Sequence, residues 1–164
     1  MTGVSHRVPE GPSATECGGG KTLPRPWVSV AMPTFNGERY LAEALDSVAA
    51  AIAALGDPGA VEILAVDDGS EDATPRILQA AAARLPVRIL KGPRRRNWAA
   101  STNAAFQEAR GEWVCILHQD DRWRPERLAR LKDLAARHPE VDVWAHPVRF
   151  IGPSGTVVGV WRCP

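Results

Sequence analysis

The sequence has few cysteines, almost no net charge and no long apolar run, and each shortage removes a class of protein. Cys17, Cys115 and Cys163 are too few and too scattered to form a metal-ligand pattern. Their odd number, with Cys115 inside an apolar run, argues against a disulfide framework and for a reducing compartment. The formal net charge is only +1, so nothing draws the chain electrostatically to nucleic acid or to an anionic membrane. No apolar run nears the roughly 20 residues that span a bilayer, which leaves peripheral association as the one form of membrane contact. The N-terminus lacks the apolar core of a secretory signal, so the expected location is cytoplasmic. Internal repeats are absent. A chain of 164 residues is expected to form one domain with a substantial core.

Residues 1–26 are rich in Gly, Pro, Ser and Thr without periodicity and read as a disordered leader, leaving 27–164 as the domain. Gly18-Gly19-Gly20-Lys21-Thr22 imitates the end of a phosphate-binding loop. Thr15 stands where its first glycine is needed, however, and Pro24 and Pro26 forbid the helix that must follow. The domain then alternates short apolar runs with helical periodicity. Strands are expected at Trp27–Met32 (ended by Pro33), Val61–Val66, Val87–Leu90 and Trp113–Leu117. Leu41, Leu45, Val48, Ile52 and Leu55 define the first helix, and Thr74-Pro75 reads as the cap and first turn of the second. Further helices are expected over 98–109 and 126–138. Val141–Phe150 and Thr156–Trp161 read as a pair of strands around the turn Gly152-Pro153-Ser154-Gly155. Strand–helix alternation implies an α/β fold with a mainly parallel sheet.

The chemistry collects at the strand ends. The apolar run Trp113–Leu117 gives way at once to His118, Gln119, Asp120 and Asp121. Thr34–Asn36 and Asp67–Ser70 close two other runs in the same manner. A parallel sheet brings such ends to one edge, where open α/β sheets bind ligands. A strand-end aspartate is often only a helix cap, and Asp67 or Asp68 can be read so. Two acidic pairs on one edge fit better with a divalent cation held against a phosphorylated ligand.

Met32-Pro33-Thr34-Phe35-Asn36 with Glu38 resembles the first motif of family 2 glycosyltransferases. Val66–Thr74 resembles the second motif, and Asn97–Asn103 with Ala109–Trp113 the third. Leu117–Asp121 with Trp123 and Pro125 resembles the metal motif. The resemblance runs in order from about Val28 to about Phe150. It implies a Rossmann-like GT-A fold that binds a nucleotide-diphosphate sugar, UDP- or dTDP-linked, and transfers the sugar with inversion to a hydroxyl acceptor. By the same resemblance Phe35 packs near the base, while Pro33, Thr34 and Asn36 line the cleft. Asp67, Asp68 or both accept hydrogen bonds from base or ribose. Asp120 holds Mn²⁺ or Mg²⁺, and Asp121 contacts metal or sugar. Glu38, Asn97, His118 and Gln119 complete the nucleotide-sugar site.

There are departures. His118 stands where the family often has Asp; it can ligate metal, contact phosphate or sugar, or simply bond to backbone. Thr102 stands where many relatives carry Arg, and Arg94–Arg96 are either the replacement cation or a solvated loop. Asn97 and Asn103 orient the cleft or make buried helix-to-strand bonds, and Trp98, Trp113 and Trp123 read as packing. Inverting transfer needs a carboxylate base, and no residue here matches that role. The GT-A domain is therefore expected to be a donor-binding part, C-terminally incomplete. The alternative from another class is a non-catalytic nucleotide-sugar-binding remnant or interaction module. A sugar nucleotidyltransferase would need a Gly-rich, basic loop after the first strand, which Pro33–Asn36 does not supply.

Overall fold

A computed structural model describes residues 4–7, 25–94 and 96–162. In chain order the elements are β1 (Val4–Arg7), β2 (Val28–Thr34), α1 (Leu41–Leu55), β3 (Val61–Asp67), α2 (Thr74–Ala82), β4 (Val87–Lys91) and α3 (Trp98–Glu108). They continue with β5 (Trp113–Ile116), α4 (Arg127–Arg137), β6 (Val143–Ala145), β7 (Val148–Ile151) and β8 (Val157–Trp161). The main sheet has the order β4-β3-β2-β5-β1-β6. Its β4, β3, β2 and β5 run parallel, as the strand–helix alternation implies. Among the described residues no helix is long and apolar enough to cross a membrane.

The core has two layers because successive strand side chains point to opposite faces. Val28, Val30 and Met32 of β2, Ile63 and Ala65 of β3 and Trp113 and Cys115 of β5 meet the apolar stripes of α1, α2 and α4. Ala31, Leu64, Val66 and Val114 face the other way and meet α3 through Ala105. Strands buried on both faces need apolar residues at nearly every position, and that is why the runs were continuous in the sequence.

Four local expectations need correction. Val4–Arg7, inside the expected leader, forms β1, antiparallel between β5 and β6, with the Ser5 hydroxyl 3.0 Å from the Cys115 sulfur. Four residues with one inward-facing serine carry no periodic signal. The phosphate-loop look-alike, Cys17, Cys163 and Arg95 lie outside the described residues. Second, Pro33 does not end β2, which runs on to Thr34. Ala31 O accepts the Leu117 N–H on the β5 side, and Thr34 O accepts the Asp68 N–H on the β3 side. By that alternation the N–H that Pro33 lacks faces β5, which has already ended at Ile116, so no ladder bond is lost. Third, Thr74 is inside α2 rather than its cap; Asp72 Oδ1 accepts the Thr74 N–H at 2.9 Å. The Thr74 hydroxyl instead accepts the Gly37 N–H at 2.7 Å. Fourth, the expected strand Val141–Phe150 breaks at His146-Pro147 into β6, on the main sheet, and β7, paired with β8 in a sheet of its own. Pro147 has no N–H to continue a ladder.

The edge opposite the polar strand ends is held by a buried network. Glu62, 7% exposed, accepts from the Ser29 hydroxyl at 2.6 Å, the Arg110 N–H at 2.7 Å and the Arg88 guanidinium at 3.2 Å. Ser29 Oγ in turn accepts the Gly111 N–H at 2.8 Å. Glu62→Leu would leave three donors without their acceptor and is expected to cost about 3 kcal/mol, the scale for removing one partner of a buried pair. Chemical denaturation measures it; a loss under about 0.5 kcal/mol would show the network to be dispensable.

Candidate functional site

Chain order sets the position of the site. From β2 the chain goes to β3 and β4 on one side, then returns past β2 to lay β5 on the other. Ligands of open α/β sheets bind outside the carboxyl ends of strands at such a reversal. A hollow of about 210 Å³ lies there, lined by Pro33, Thr34 and Phe35 after β2, Asp68 after β3 and His118, Gln119 and Asp120 after β5. Its remaining wall is Arg96, Asn97, Trp98 and Ser101, at the start of α3.

Gln119 ties two of these ends together. Its Oε1 accepts the Phe35 N–H and its Nε2 donates to the Phe35 carbonyl, both at 2.9 Å. The amide thus continues the β2–β5 ladder beyond the point where β5 stops. Gly37 is needed beneath it: a Cβ there would stand 2.4 Å from Gln119 Oε1. Asp68 is 4% exposed. Its Oδ2 accepts the Asn97 N–H at 3.3 Å, while its enclosed Oδ1 has no partner among the described residues. Asn97 caps α3, its side chain accepting from the Ala99 N–H at 2.9 Å. That explains Asn97 structurally and also fixes the helix start against the hollow.

The basic loop is strained. Arg94 and Arg96 have φ of 54° and 48°, a region few non-glycine residues occupy. The Arg96 guanidinium carbon lies over the Phe35 ring in a cation–π arrangement, 5.3 Å from its centroid. Gly92 lets the start of this loop lie against the end of β3, since a Cβ there would meet Asp68 Cα at 2.7 Å.

Four residues expected at the nucleotide-sugar site do not line this hollow. Asp67 Oδ1 accepts from the Ser70 N–H at 3.1 Å and its hydroxyl at 2.6 Å, which is the turn-capping alternative. Asn36 Oδ1 accepts the Glu71 N–H and Glu38 Oε2 the Ala73 N–H, while Asp72 Oδ2 accepts the Glu38 N–H. Together they clasp the loops after β2 and β3. Burial works to raise the Asp72 pKa, but hydrogen bonds from the Thr74 hydroxyl and the Glu38 and Thr74 backbone outweigh it and hold the carboxyl below its ordinary value. Asp121 is half-buried beside the hollow; burial, then the charge of Asp120, pushes its carboxyl up. Asn103, also considered, is exposed.

Trp113 and Trp123 pack as expected, but Trp98 does not: it is 59% exposed and meets His118 edge-on at 5.3 Å. Sequence reading missed Ser101 altogether. Its signal was the spacing of Asn97, Trp98 and Ser101, which puts them within one turn at a helix start.

No group of three or more His, Cys, Asp or Glu among the described residues could by itself enclose a metal ion. The hollow offers Asp120 and His118 to a ligand. Such a partial donor set suits a hard cation that takes its remaining oxygens from a diphosphate and water. The paired charges of Asp120 and Asp121 would also be relieved by one.

Comparison with known proteins bears on this arrangement. An uncharacterised protein of Mycobacterium tuberculosis is 38% identical over 133 residues, covering 78% of this chain and 37% of its own. An undecaprenyl-phosphate 4-deoxy-4-formamido-L-arabinose transferase of Pseudomonas aeruginosa is 38% identical over 123 residues, 74% of this chain and 36% of its own. The chain thus spans little more than a third of the length of these relatives. Among solved structures, TarS 1–349 of S. aureus in complex with UDP-GlcNAc is 27% identical with a TM-score of 0.60, covering 68% of this chain and 32% of that one. Mannosyltransferase PcManGT from Pyrobaculum calidifontis, in complex with GDP-Man and Mn²⁺, is 29% identical with a TM-score of 0.61 over 68% and 33%. The fold is therefore that of the GT-A glycosyltransferases. The sequence profile described as Glycosyl transferase family 2 matches residues 29–162, and the chain belongs to that family.

Proposed function

We propose that the hollow binds the nucleotide and diphosphate of a sugar donor, for transfer of the sugar with inversion to a hydroxyl acceptor. The observation that carries this reading is the buried Asp68 carboxylate, its Oδ1 unpaired, on the same strand-end hollow as Asp120. An enclosed acceptor left unmatched costs about 1–3 kcal/mol, and once the segment at Gly92 that covers it moves aside a ring N–H of the base would supply the missing partner. Uracil and thymine carry a ring imide N–H and guanine a ring lactam N–H, whereas adenine and cytosine present an unprotonated ring nitrogen at that edge beside their exocyclic amine. The reading therefore favours UDP-, dTDP- or GDP-linked donors over ADP- or CDP-linked ones. Phe35 and Arg96 would flank the base, and Asn97 holds Asp68 in place.

At the other end Asp120, with His118 beside it, would hold Mn²⁺ or Mg²⁺ against the diphosphate. Such a cation neutralises the charge that gathers on the leaving diphosphate. Arg96 adds a second positive charge to the same hollow. Gln119 keeps Asp120 at a fixed spacing from Phe35. The base that deprotonates the acceptor hydroxyl is assigned to no residue of this chain, and the acceptor stays unspecified beyond that hydroxyl.

Calorimetric titration of the chain with UDP-GlcNAc, GDP-mannose, ADP-glucose and CDP-glucose, with and without Mn²⁺, tests the reading. Binding is expected for the first two and is expected to strengthen with Mn²⁺. Equal affinity for the adenine and cytosine donors would overturn the role of Asp68. Donor binding with neither transfer nor hydrolysis would favour the non-catalytic alternative.

A further inference from the structure

The chain has six tryptophans, and Trp98 differs from the rest in its setting. Trp113 is 4% exposed, and Trp27, Trp123 and Trp144 pack against the main core. Trp98 is 59% exposed, yet its backbone is firmly placed. It is the first residue of α3, its carbonyl accepts the Thr102 hydroxyl at 2.8 Å, and the cap at Asn97 fixes the residue before it. A large ring is thus held in water by a rigid support. Indole presents a broad apolar face and a single polar N–H, so stable exposure at the rim of a polar hollow is a feature of recognition sites rather than of packing.

The place of the ring in the hollow narrows what it would recognise. Phe35, Arg96 and Asp68 form the base end under the reading above. Trp98 touches His118, one residue from Gln119 and two from Asp120, on the flank assigned to the diphosphate. The group joined to the far side of a nucleotide diphosphate is a sugar. A pyranose has a C–H face that fits an aromatic ring and a rim of hydroxyls that fits the charged surroundings.

We propose that Trp98 is the platform on which the sugar ring of the bound donor stacks, with His118 setting the tilt of the indole. It is a positioning residue, and it makes the site sensitive to which hydroxyls are axial on the stacked face. This deepens the nucleotide-sugar reading and rests on it. The Thr102 hydroxyl anchors the turn that carries the ring.

The test compares nucleotide sugars with the bare nucleotides. The native chain, Trp98→Ala and Trp98→Phe are titrated with UDP-GlcNAc and UDP, and with GDP-mannose and GDP, all in Mn²⁺. Trp98→Ala is expected to weaken the nucleotide sugar about 5- to 100-fold, the range found when one aromatic stacking partner is removed. UDP and GDP are expected to stay within about twofold, and Trp98→Phe to recover most of the loss. A melting temperature within about 2 °C of native is expected for both variants, since the ring is exposed. Equal losses for nucleotide and nucleotide sugar, no loss for either, or collapse of the fold would each overturn the platform. If the native chain binds none of the four compounds, the donor-site reading falls and the platform with it. Native binding with an unaltered difference between sugar and nucleotide removes the platform alone.

Discussion

Asn in place of Asp120 is expected to abolish the Mn²⁺-dependent part of donor binding while leaving the fold intact. Asp120 lines the hollow, and among the described residues no hydrogen bond or ion pair ties its side chain to the rest of the protein. The change removes one negative charge at nearly constant volume. It also removes the like charge that helps push the Asp121 carboxyl up, so Asp121 does not become a worse neighbour. Altering groups that merely support a metal ligand lowers metal affinity about 10- to 100-fold, and loss of the ligand itself should cost at least as much. Titration of UDP-GlcNAc into Asp120→Asn should therefore give the same weak affinity with and without Mn²⁺. If Mn²⁺ still enhances binding to the native extent, Asp120 is not the metal-holding carboxylate.

Gly111→Ala carries the other large effect, and it acts at the opposite edge. An added Cβ would stand 2.5 Å from the Ser29 backbone nitrogen and 2.8 Å from both Ser29 Oγ and Val28 C. Two of these three atoms are main chain of the central strand β2, so no flexible side chain can give way. Relief requires either moving the turn before β5 or breaking the bonds that Ser29 makes to Glu62 and Gly111. Overpacking costs about 1–3 kcal/mol and the polar network adds to it, so a total near 3 kcal/mol or more is expected. In a chain of this size that lowers the melting point by on the order of 10 °C. Scanning calorimetry of Gly111→Ala reads it directly, and an unchanged melting point would mean that the turn shifts freely.

Much of this architecture was legible from the residues. Apolar runs identified β2, β3 and β5 because strands packed on both faces carry apolar residues at nearly every position, Ser29 and Glu62 being exceptions that satisfy each other. The abrupt polar endings pointed to one edge because parallel strands must finish together. Pattern reading could not say which polar group each end would meet. Asp67 and Asp68 are adjacent and chemically alike, yet Asp67 caps a turn while Asp68 faces the hollow. The difference is made by Gly92 and Asn97, which arrive from the next crossover. Gln119 bonds to Phe35 across 84 positions of sequence, with no periodicity to announce it. Trp98 looked like packing because tryptophan usually packs; its exposure follows from standing at a helix start that overhangs the strand ends. Pro33 looked like a terminator because proline removes a donor, but here the missing donor faces a side from which the neighbouring strand has already departed.

The Gln119 amide also decides which wall of the cleft can yield. With Phe35 stitched to the segment that carries Asp120, the ends of β2 and β5 that line the hollow are held as one piece. The clasp between Asn36, Glu38 and the turn after β3 braces that piece from outside. Across from it, the loop from Gly92 to Asn97 is moored by hydrogen bonds only at its two ends among the described residues. Arg94 and Arg96 already sit in an uncomfortable backbone geometry. On the donor-site reading proposed above, the strand ends would stay together as a ligand enters and leaves, and any give would come from the side that carries Arg94 and Arg96.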